Sequence, residues 1–262
     1  PLFSVLRITR ALGDSMLTQD VFVRRHSRRV DFRTRIEWRE RHRLLKVSFP
    51  TALRTMEAVH EIQFGHIARP NHHSRPFDRD RFEVPAHRWS ALIEPGRGFA
   101  VLNDCKYGVS ARGGTLSLTL LRSPTAPDAD ADRGSHEFTY SFYTWNGPFT
   151  GSGLIHEAYD LNIRPRVIPG ICKKTSVVRI SAPGVILETL KQVEDGSGDP
   201  VLRLYEAFGT RTSCTLTLGL PVKAAHLADM LEAPREELEL RGGAIALEFR
   251  PFEIKTVRLT PR

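Results

Sequence analysis

Apolar and polar residues alternate strictly in the segment that begins at Phe32. Phe32, Ile36 and Trp38 fall on one side of an extended chain, and arginine and glutamate occupy positions on the other side. A period of two is typical of a strand with one buried and one solvated face. The same alternation recurs at 45–49 and 116–121, so the pattern predicts a chain built mainly from strands.

The stretch from Phe99 to Tyr143 predicts a strand, a polar loop, a strand, a long acidic loop and a further strand. The first loop carries, in order, Asn103, Asp104, Cys105, Lys106 and Tyr107. Such a loop between apolar strands is a suitable binding surface, because the strands are rigid and the loop need not be buried. It is also compatible with an ordinary hairpin whose Asn103 and Asp104 make local turn hydrogen bonds.

The rest of the chain adds one short helix, at 154–162, and a long loop, at 68–85. A turn at 180–184 precedes a region of short strands, predicted at 185–190, 201–206, 214–220, 238–240, 244–249 and 254–259. Six strands in about eighty residues is the spacing of a small antiparallel sandwich. We therefore predict two domains, residues 1–180 and 181–262.

Length and composition indicate a folded protein. A chain of 262 residues with 40% hydrophobic content can bury a sizeable core. It has no run of about 18 apolar residues and no apolar leader, so we expect no membrane span and no secretion signal of its own. It opens inside an apolar run, as if cut from something longer. Three widely spaced cysteines indicate neither a disulfide framework nor a zinc motif, and a reducing, cytoplasmic location is expected.

The net charge of +8 raises the possibility of a nucleic-acid partner, because clustered arginine is typical of phosphate binding. Nine arginines lie between Arg24 and Arg43. From Phe32 onward, however, they alternate with apolar residues and are interspersed with glutamate. A solvated strand face is therefore favoured over a polyanion site, and a face that docks on another domain is a third interpretation.

Two groups of residues invite a test for metal binding. Five histidines lie close in sequence: His60, His66, His72, His73 and His87. Their spacings do not fall on a helix that would bring two imidazoles together, so no protein-ligated metal is expected. The segment 128–132 copies the first half of a calcium loop, but Arg133 and Thr139 stand where that loop needs glycine and glutamate. A solvated acidic loop is expected there instead.

Several segments together resemble the C-terminal half of a glycoside hydrolase family 38 enzyme, an α-mannosidase of the cytosolic and vacuolar branch. The longest is Leu102-Asn103-Asp104-Cys105-Lys106-Tyr107-Gly108. The others are at 35–40, 44–47, 61–65, 81–84, 120–124, 127–128, 136–140 and 203–206. The resemblance extends over nearly the whole chain.

The resemblance implies an all-β fold, with a large β-supersandwich of the galactose mutarotase type followed by a small immunoglobulin-like β-sandwich. It also implies a retaining exo-α-mannosidase with two catalytic carboxylates, in which a zinc ion held by two histidines and two aspartates grips sugar hydroxyls. In the family these groups belong to an upstream α/β domain, which a helical domain follows. No catalytic residue or metal ligand is therefore expected among the present residues, and zinc is expected only in the missing domain.

In some relatives a loop at the position of 103–106 reaches the rim of the sugar site and offers an arginine. Here the basic residue is Lys106, so this sequence departs from that pattern. The resemblance makes Asp104 and Lys106 candidates for the substrate rim, with Asn103 and Tyr107 in support. Pairing of Asp104 with Lys106 or with the neighbouring domain is the structural alternative.

The expected partners are a mannose-containing oligosaccharide and the upstream catalytic and helical domains of the same polypeptide. Neither nucleic acid nor membrane is expected. An apolar or arginine-rich docking face left by the missing half would also permit a homo-oligomer. The alternative function is a stand-alone carbohydrate-binding β-sandwich, whose exposed aromatic platform would have to include Trp38 or Trp89.

Overall fold

The computed structural model describes residues 2–171 and 174–262, and the predicted all-β fold is confirmed. Cys172 lies outside the described residues. The strands, in chain order, are β1 Phe3–Leu12, β2 Ser15–Arg24, β3 Arg29–Trp38, β4 Leu45–Pro50, β5 Glu57–Ile62, β6 Gly65–Pro70, β7 Val84–Pro85, β8 Trp89–Glu94, β9 Arg97–Asn103, β10 Gly108–Arg112, β11 Thr115–Leu121, β12 Gly134–Asn146, β13 Val178–Ile180, β14 Val185–Gln192, β15 Pro200–Glu206, β16 Thr212–Leu218, β17 Val222–Ala228, β18 Pro234–Leu238, β19 Ala244–Phe249 and β20 Ile254–Pro261. The helices are α1 Pro76–Asp80 and α2 Leu154–Asn162, and a short 3-10 turn covers Phe149–Gly151.

The chain forms two compact units. The first comprises residues 1–62 and 67–165, and the second comprises residues 63–66 and 166–262. The predicted domain limits of 1–180 and 181–262 stay a prediction. Among the described residues, no helix is long and apolar enough to cross a membrane.

The first unit contains an eight-stranded and a four-stranded antiparallel sheet. The strand orders are β1-β2-β3-β12-β9-β8-β5-β6 and β4-β11-β10-β7. Ile36 and Leu92 of the large sheet share one buried cluster with Leu116 and Leu118 of the small sheet, and each of the four is completely buried. The two inner faces therefore form the core of a sandwich.

β3 shows the alternation that its sequence predicts. Ile36 and Trp38 are buried on the core side, whereas Arg33, Arg35 and Glu37 are exposed. The expectation of a solvated arginine face from Phe32 onward is confirmed. Before Phe32, Arg29 and Asp31 are buried on the same outer face.

The predicted helix at 154–162 is confirmed as α2. Its buried residues are Leu154, Ile155, Ala158 and Leu161, which form one apolar stripe. Arg29 fixes the helix to β3 by donating from Nη1 to the carbonyl oxygen of Glu157 at 2.7 Å and to its Oε2 at 2.8 Å. The helix thus covers the end of the outer sheet face where Arg29 and Asp31 are buried.

Asp31 is the central acceptor beneath this helix. It accepts hydrogen bonds from Arg24 at 2.5 Å, Arg29 at 2.8 Å and Ser141 at 2.8 Å. Burial alone would raise the pKa of Asp31, but hydrogen bonding from Arg24 and the charge of Arg29 outweigh it and lower the pKa. The charged network therefore joins β2, β3, β12 and α2.

The second unit contains a three-stranded sheet of order β13-β16-β19 and a five-stranded sheet of order β14-β15-β20-β17-β18. Leu202, Leu204, Leu216, Ile245 and Val257 are completely buried in its core, with members from both sheets. The predicted small antiparallel sandwich is confirmed.

Three local predictions were wrong. The segment 68–85 is not one long loop, since it contains the end of β6, helix α1 and β7. Strand β17 was missed because its alanine-rich sequence has low strand propensity. The strand predicted at 238–240 instead occupies Pro234–Leu238, where it pairs with β17.

Candidate functional site

An open cleft of about 750 Å³ lies on the outer face of the large sheet. Strand register accounts for its composition, because directly opposed residues of neighbouring strands point to the same side. Arg7 opposes Asp20, Asp20 opposes Arg33, and Arg33 opposes Thr139. Asp104 follows β9 beside Thr139. The lining residues are Arg7, Thr18, Asp20, Arg33, Thr34, Arg35, Asp104, Glu137, Phe138, Thr139 and Arg164.

Asp104 is held against β12 by two hydrogen bonds. Its amide donates to the carbonyl oxygen of Thr139 at 3.1 Å, and its Oδ2 accepts from the amide of Thr139 at 2.9 Å. Its other carboxylate oxygen, Oδ1, is buried and accepts no hydrogen bond from the described residues. A buried acceptor without a donor is unfavourable, so this oxygen is a place where the described chain leaves a hydrogen bond unmade.

Asn103 is part of the scaffold beneath the loop. It is 1% exposed, and its Nδ2 donates to the carbonyl oxygen of His87 at 2.8 Å. Its Oδ1 accepts from the amide of Lys106 at 2.7 Å, and its backbone carbonyl accepts from Asn162 at 3.1 Å. The turn hydrogen bond to Lys106 is the local bonding that the hairpin interpretation predicted. The side chain therefore shapes the loop from below.

The remaining loop residues lie nearer the surface. The ammonium of Lys106 sits 4.6 Å from the centroid of the Phe138 ring, which is a cation–π contact. Tyr107 is 53% exposed, and its ring meets that of His87 edge-on at 6.1 Å. Burial, a hydrogen bond to the Asp104 side chain and the negative charge of Asp104 raise the pKa of the Cys105 thiol to about 11, so this thiol is protonated at neutral pH.

Charges of both signs line the cleft. Arg7 donates to both oxygens of Asp20, at 2.6 and 2.8 Å, and this hydrogen bonding lowers the pKa of Asp20. Arg35 lies 3.8 Å from Glu137, and the guanidinium of Arg33 stacks 4.1 Å from the centroid of the Phe22 ring. An array of fixed guanidinium donors and carboxylate acceptors can hydrogen-bond a ligand rich in hydroxyl groups.

Of the four predicted rim residues, the structure brings Asp104 to the cleft and leaves Asn103 in the scaffold. Lys106 reaches Phe138, which lines the cleft. Sequence reasoning missed the arginines and Asp20 on β1–β3 as members of the same site. Their shared face is readable from strand alternation, but their proximity to Asp104 depends on the pairing of β3 with β12 and β12 with β9.

The described residues do not fit a zinc site. Among them, no group of three or more histidine, cysteine, aspartate or glutamate side chains could hold a metal ion. The two tryptophans proposed as a sugar platform are 3% (Trp38) and 1% (Trp89) exposed, so neither can serve as one.

Two family models match the chain. Residues 1–130 match the glycosyl hydrolases family 38 C-terminal domain. Residues 184–257 match the glycosyl hydrolases family 38 C-terminal beta sandwich domain. The chain belongs to glycosyl hydrolase family 38. It corresponds to the C-terminal region of proteins in that family.

Relatives within the family are named as α-mannosidases. The chain is 46% identical over 254 residues to alpha-mannosidase 2C1 of Homo sapiens and 40% identical over 256 residues to alpha-mannosidase G of Dictyostelium discoideum. Each match covers 94% of this chain but only 24% of the relative, so the chain spans about a quarter of the length of these relatives.

A solved structure confirms the fold. An alpha-mannosidase from Enterococcus faecalis V583 matches with a TM-score of 0.77 at 19% identity, covering 93% of this chain and 29% of that one. At this identity the likeness concerns architecture alone. It shows that this chain shares its fold with part of that protein.

Proposed function

We propose that this chain is the non-catalytic C-terminal β region of a retaining, zinc-dependent exo-α-mannosidase that hydrolyses terminal α-mannosides of oligosaccharides. The names of the family 38 relatives support the activity, and their fourfold greater length supports the assignment of catalysis to upstream domains. The proposed partners are a mannose-containing oligosaccharide and the catalytic and helical domains of the same polypeptide. The proposed location is the cytoplasm.

We further propose that the loop at 103–107 completes the active site of the upstream domains. The observation that supports this role is the unpartnered Oδ1 of Asp104 at the edge of an open cleft. Thr139 holds the carboxylate in place, and a donor from outside the chain can reach Oδ1 once the side chains that cover it move. The donor is a sugar hydroxyl or a group of the upstream domain beside the sugar. In either case the loop acts at the rim of the active site.

The division of labour follows from the chemistry of retaining glycosidases. Such enzymes need two carboxyl groups about 5 Å apart, one as nucleophile and one as acid and then base. We assign this pair and the zinc ion, which would bind and orient sugar hydroxyls, to the upstream domains. Asp104 and Lys106 place their own polar side chains at the rim, while Asn103 and Thr139 position the loop.

The test is Asp104→Asn in the complete polypeptide, with hydrolysis of an aryl α-mannoside as the readout. Asparagine keeps an acceptor for Thr139 but removes the charge and places an amide donor at the Oδ1 position. We expect kcat/KM to fall about tenfold or more, because a hydrogen bond to a charged group contributes roughly 1.5–3 kcal/mol.

The matched control is Asp14→Asn, in the exposed turn between β1 and β2, which should leave kcat/KM unchanged. An Asp104→Asn enzyme that folds normally and retains full kcat/KM would contradict a role for the loop at the rim. Lys106→Met provides a second variant in the same loop and should also lower kcat/KM.

A further inference from the structure

A second, smaller cavity lies in the first unit, away from the cleft. Its volume is about 30 Å³, which is room for one or two water-sized species. Val84, Val109 and Ala111 supply apolar wall, and the polar lining includes buried His60 and two arginines, Arg69 and Arg81.

The one carboxylate in this cavity is already satisfied. Asp78 is 6% exposed and accepts three hydrogen bonds from Arg75, from the amide at 3.0 Å, Nε at 3.1 Å and Nη2 at 3.0 Å. The guanidinium of Arg75 thus balances its charge. Arg69 donates to the carbonyl oxygen of Pro85 at 3.1 Å. Within residues 2–171 and 174–262, neither Arg69 nor Arg81 forms an ion pair.

Arg69 is half-buried and Arg81 is exposed, while the carboxylate of Asp78, which also lines the cavity, is paired with Arg75. Burial and the charge of Arg81 lower the pKa of Arg69, yet a guanidinium does not lose its proton in a protein. Burial, followed by the charge of Arg69, also lowers the pKa of His60 to about 4, so the imidazole is neutral at pH 7. The lining therefore carries a net positive charge, and the Arg69 part of it is partly desolvated.

We propose that this cavity binds one small inorganic anion of the size of chloride, held chiefly by Arg69 and Arg81. The anion would reduce the repulsion between the two guanidinium groups and accept from their remaining N–H donors. The cavity is too small for a sugar or a phosphorylated metabolite, which restricts the ligand to a monatomic or similarly compact anion.

The test is thermal and urea unfolding of the 262-residue chain in sodium chloride and in sodium gluconate at equal ionic strength. Gluconate is too large for the cavity. Because an anion bound only by the folded chain stabilises it by mass action, a chloride concentration ten times Kd should lower the unfolding equilibrium constant about elevenfold relative to gluconate. Bromide should act in the same direction.

Arg69→Met keeps the aliphatic stem and removes the charge, and it should abolish the difference between chloride and gluconate. The matched control, Arg112→Met, changes an exposed arginine at the end of β10 and should preserve the difference. Crystals of the unmodified chain soaked in bromide give a second readout, with an anomalous peak expected beside the Arg69 guanidinium. Equal stability in chloride and gluconate, or a bromide-free cavity, would overturn the proposal.

Discussion

The Glu206 carboxylate of the second unit accepts five hydrogen bonds from the described residues. It is completely buried, and its oxygens accept hydrogen bonds from the amides of Phe208, Gly209, Thr210 and Phe252 and from the Thr210 hydroxyl. These donors belong to the loop after β15 and to the turn before β20. One side chain therefore fixes two backbone segments.

Glu206→Gln should destabilise the chain markedly. The substitution replaces one acceptor by an amide donor that faces other donors, and we expect a loss of at least about 2 kcal/mol in the free energy of unfolding. Urea unfolding measures it. Glu236→Gln, on exposed β18, is the control and should stay within about 0.5 kcal/mol. A Glu206 variant as stable as this control would show that the buried network contributes little.

His60 should titrate far below a typical histidine. Burial lowers its pKa to about 4, from an ordinary value near 6.5. The neutral form is favoured in the folded state, so this contribution to stability is complete above pH 6.5 and is lost as the pH falls toward 4. NMR titration of the His60 ring should give a midpoint near 4. A midpoint between 6 and 7 would contradict the described burial.

Single residues of the candidate site could be predicted from the sequence, but their arrangement in space could not. The polar loop at 103–107 is conspicuous because it separates apolar strands, and Asp104 does line a cleft. The sequence could not distinguish Asn103 as scaffold, since its partners His87 and Asn162 lie in distant segments. The unpartnered Oδ1 of Asp104 is likewise a property of packing and has no local sequence signal.

At the scale of whole elements, β1 is an exposed edge strand. Within the part of the chain that the structure describes, it ends the sheet order and pairs with β2 alone. Leu2 and three apolar residues of β1 are 79% (Leu2), 54% (Phe3), 45% (Val5) and 63% (Leu6) exposed. A long apolar edge strand invites pairing with another chain or domain. This exposed strand agrees with the expectation of a docking face.

Leu6→Lys should reduce self-association of the isolated 262-residue chain while leaving its stability nearly unchanged. The leucine is largely exposed, so its replacement should alter the free energy of unfolding by no more than about 0.5 kcal/mol. Sedimentation velocity measures the association. Leu190→Lys, on β14 of the second unit, is the matched control and should associate like the unmodified chain. A chain that is monomeric at all concentrations would contradict the prediction.

Strands with clear alternation were predictable, and strands defined by their partners were not. β3 has a period of two and a buried face, so it was found from sequence. β10 is only five residues long and follows the polar loop directly, and β17 is rich in alanine. Both are strands because neighbouring β11 and β20 pair with them, which is a tertiary effect.

For the molecule as a whole, family membership and the all-β class followed from short sequence segments. The predicted limits 1–180 and 181–262 stay a prediction, and no sequence pattern indicated that residues 63–66 belong to the second unit although they lie within the first in sequence. Such an insertion depends on packing between distant segments. The whole chain is a quarter of its curated relatives, so its function has to be tested in the longer polypeptide.

The most direct measurement is hydrolysis of an aryl α-mannoside, with added zinc, by the isolated 262-residue chain and by the complete polypeptide. We predict turnover by the complete polypeptide and none by the isolated chain, because the proposed function assigns the two carboxyl groups of a retaining mechanism to upstream domains. Comparable hydrolysis by the isolated chain would contradict this account. The catalytic carboxylates would then have to be sought within these 262 residues.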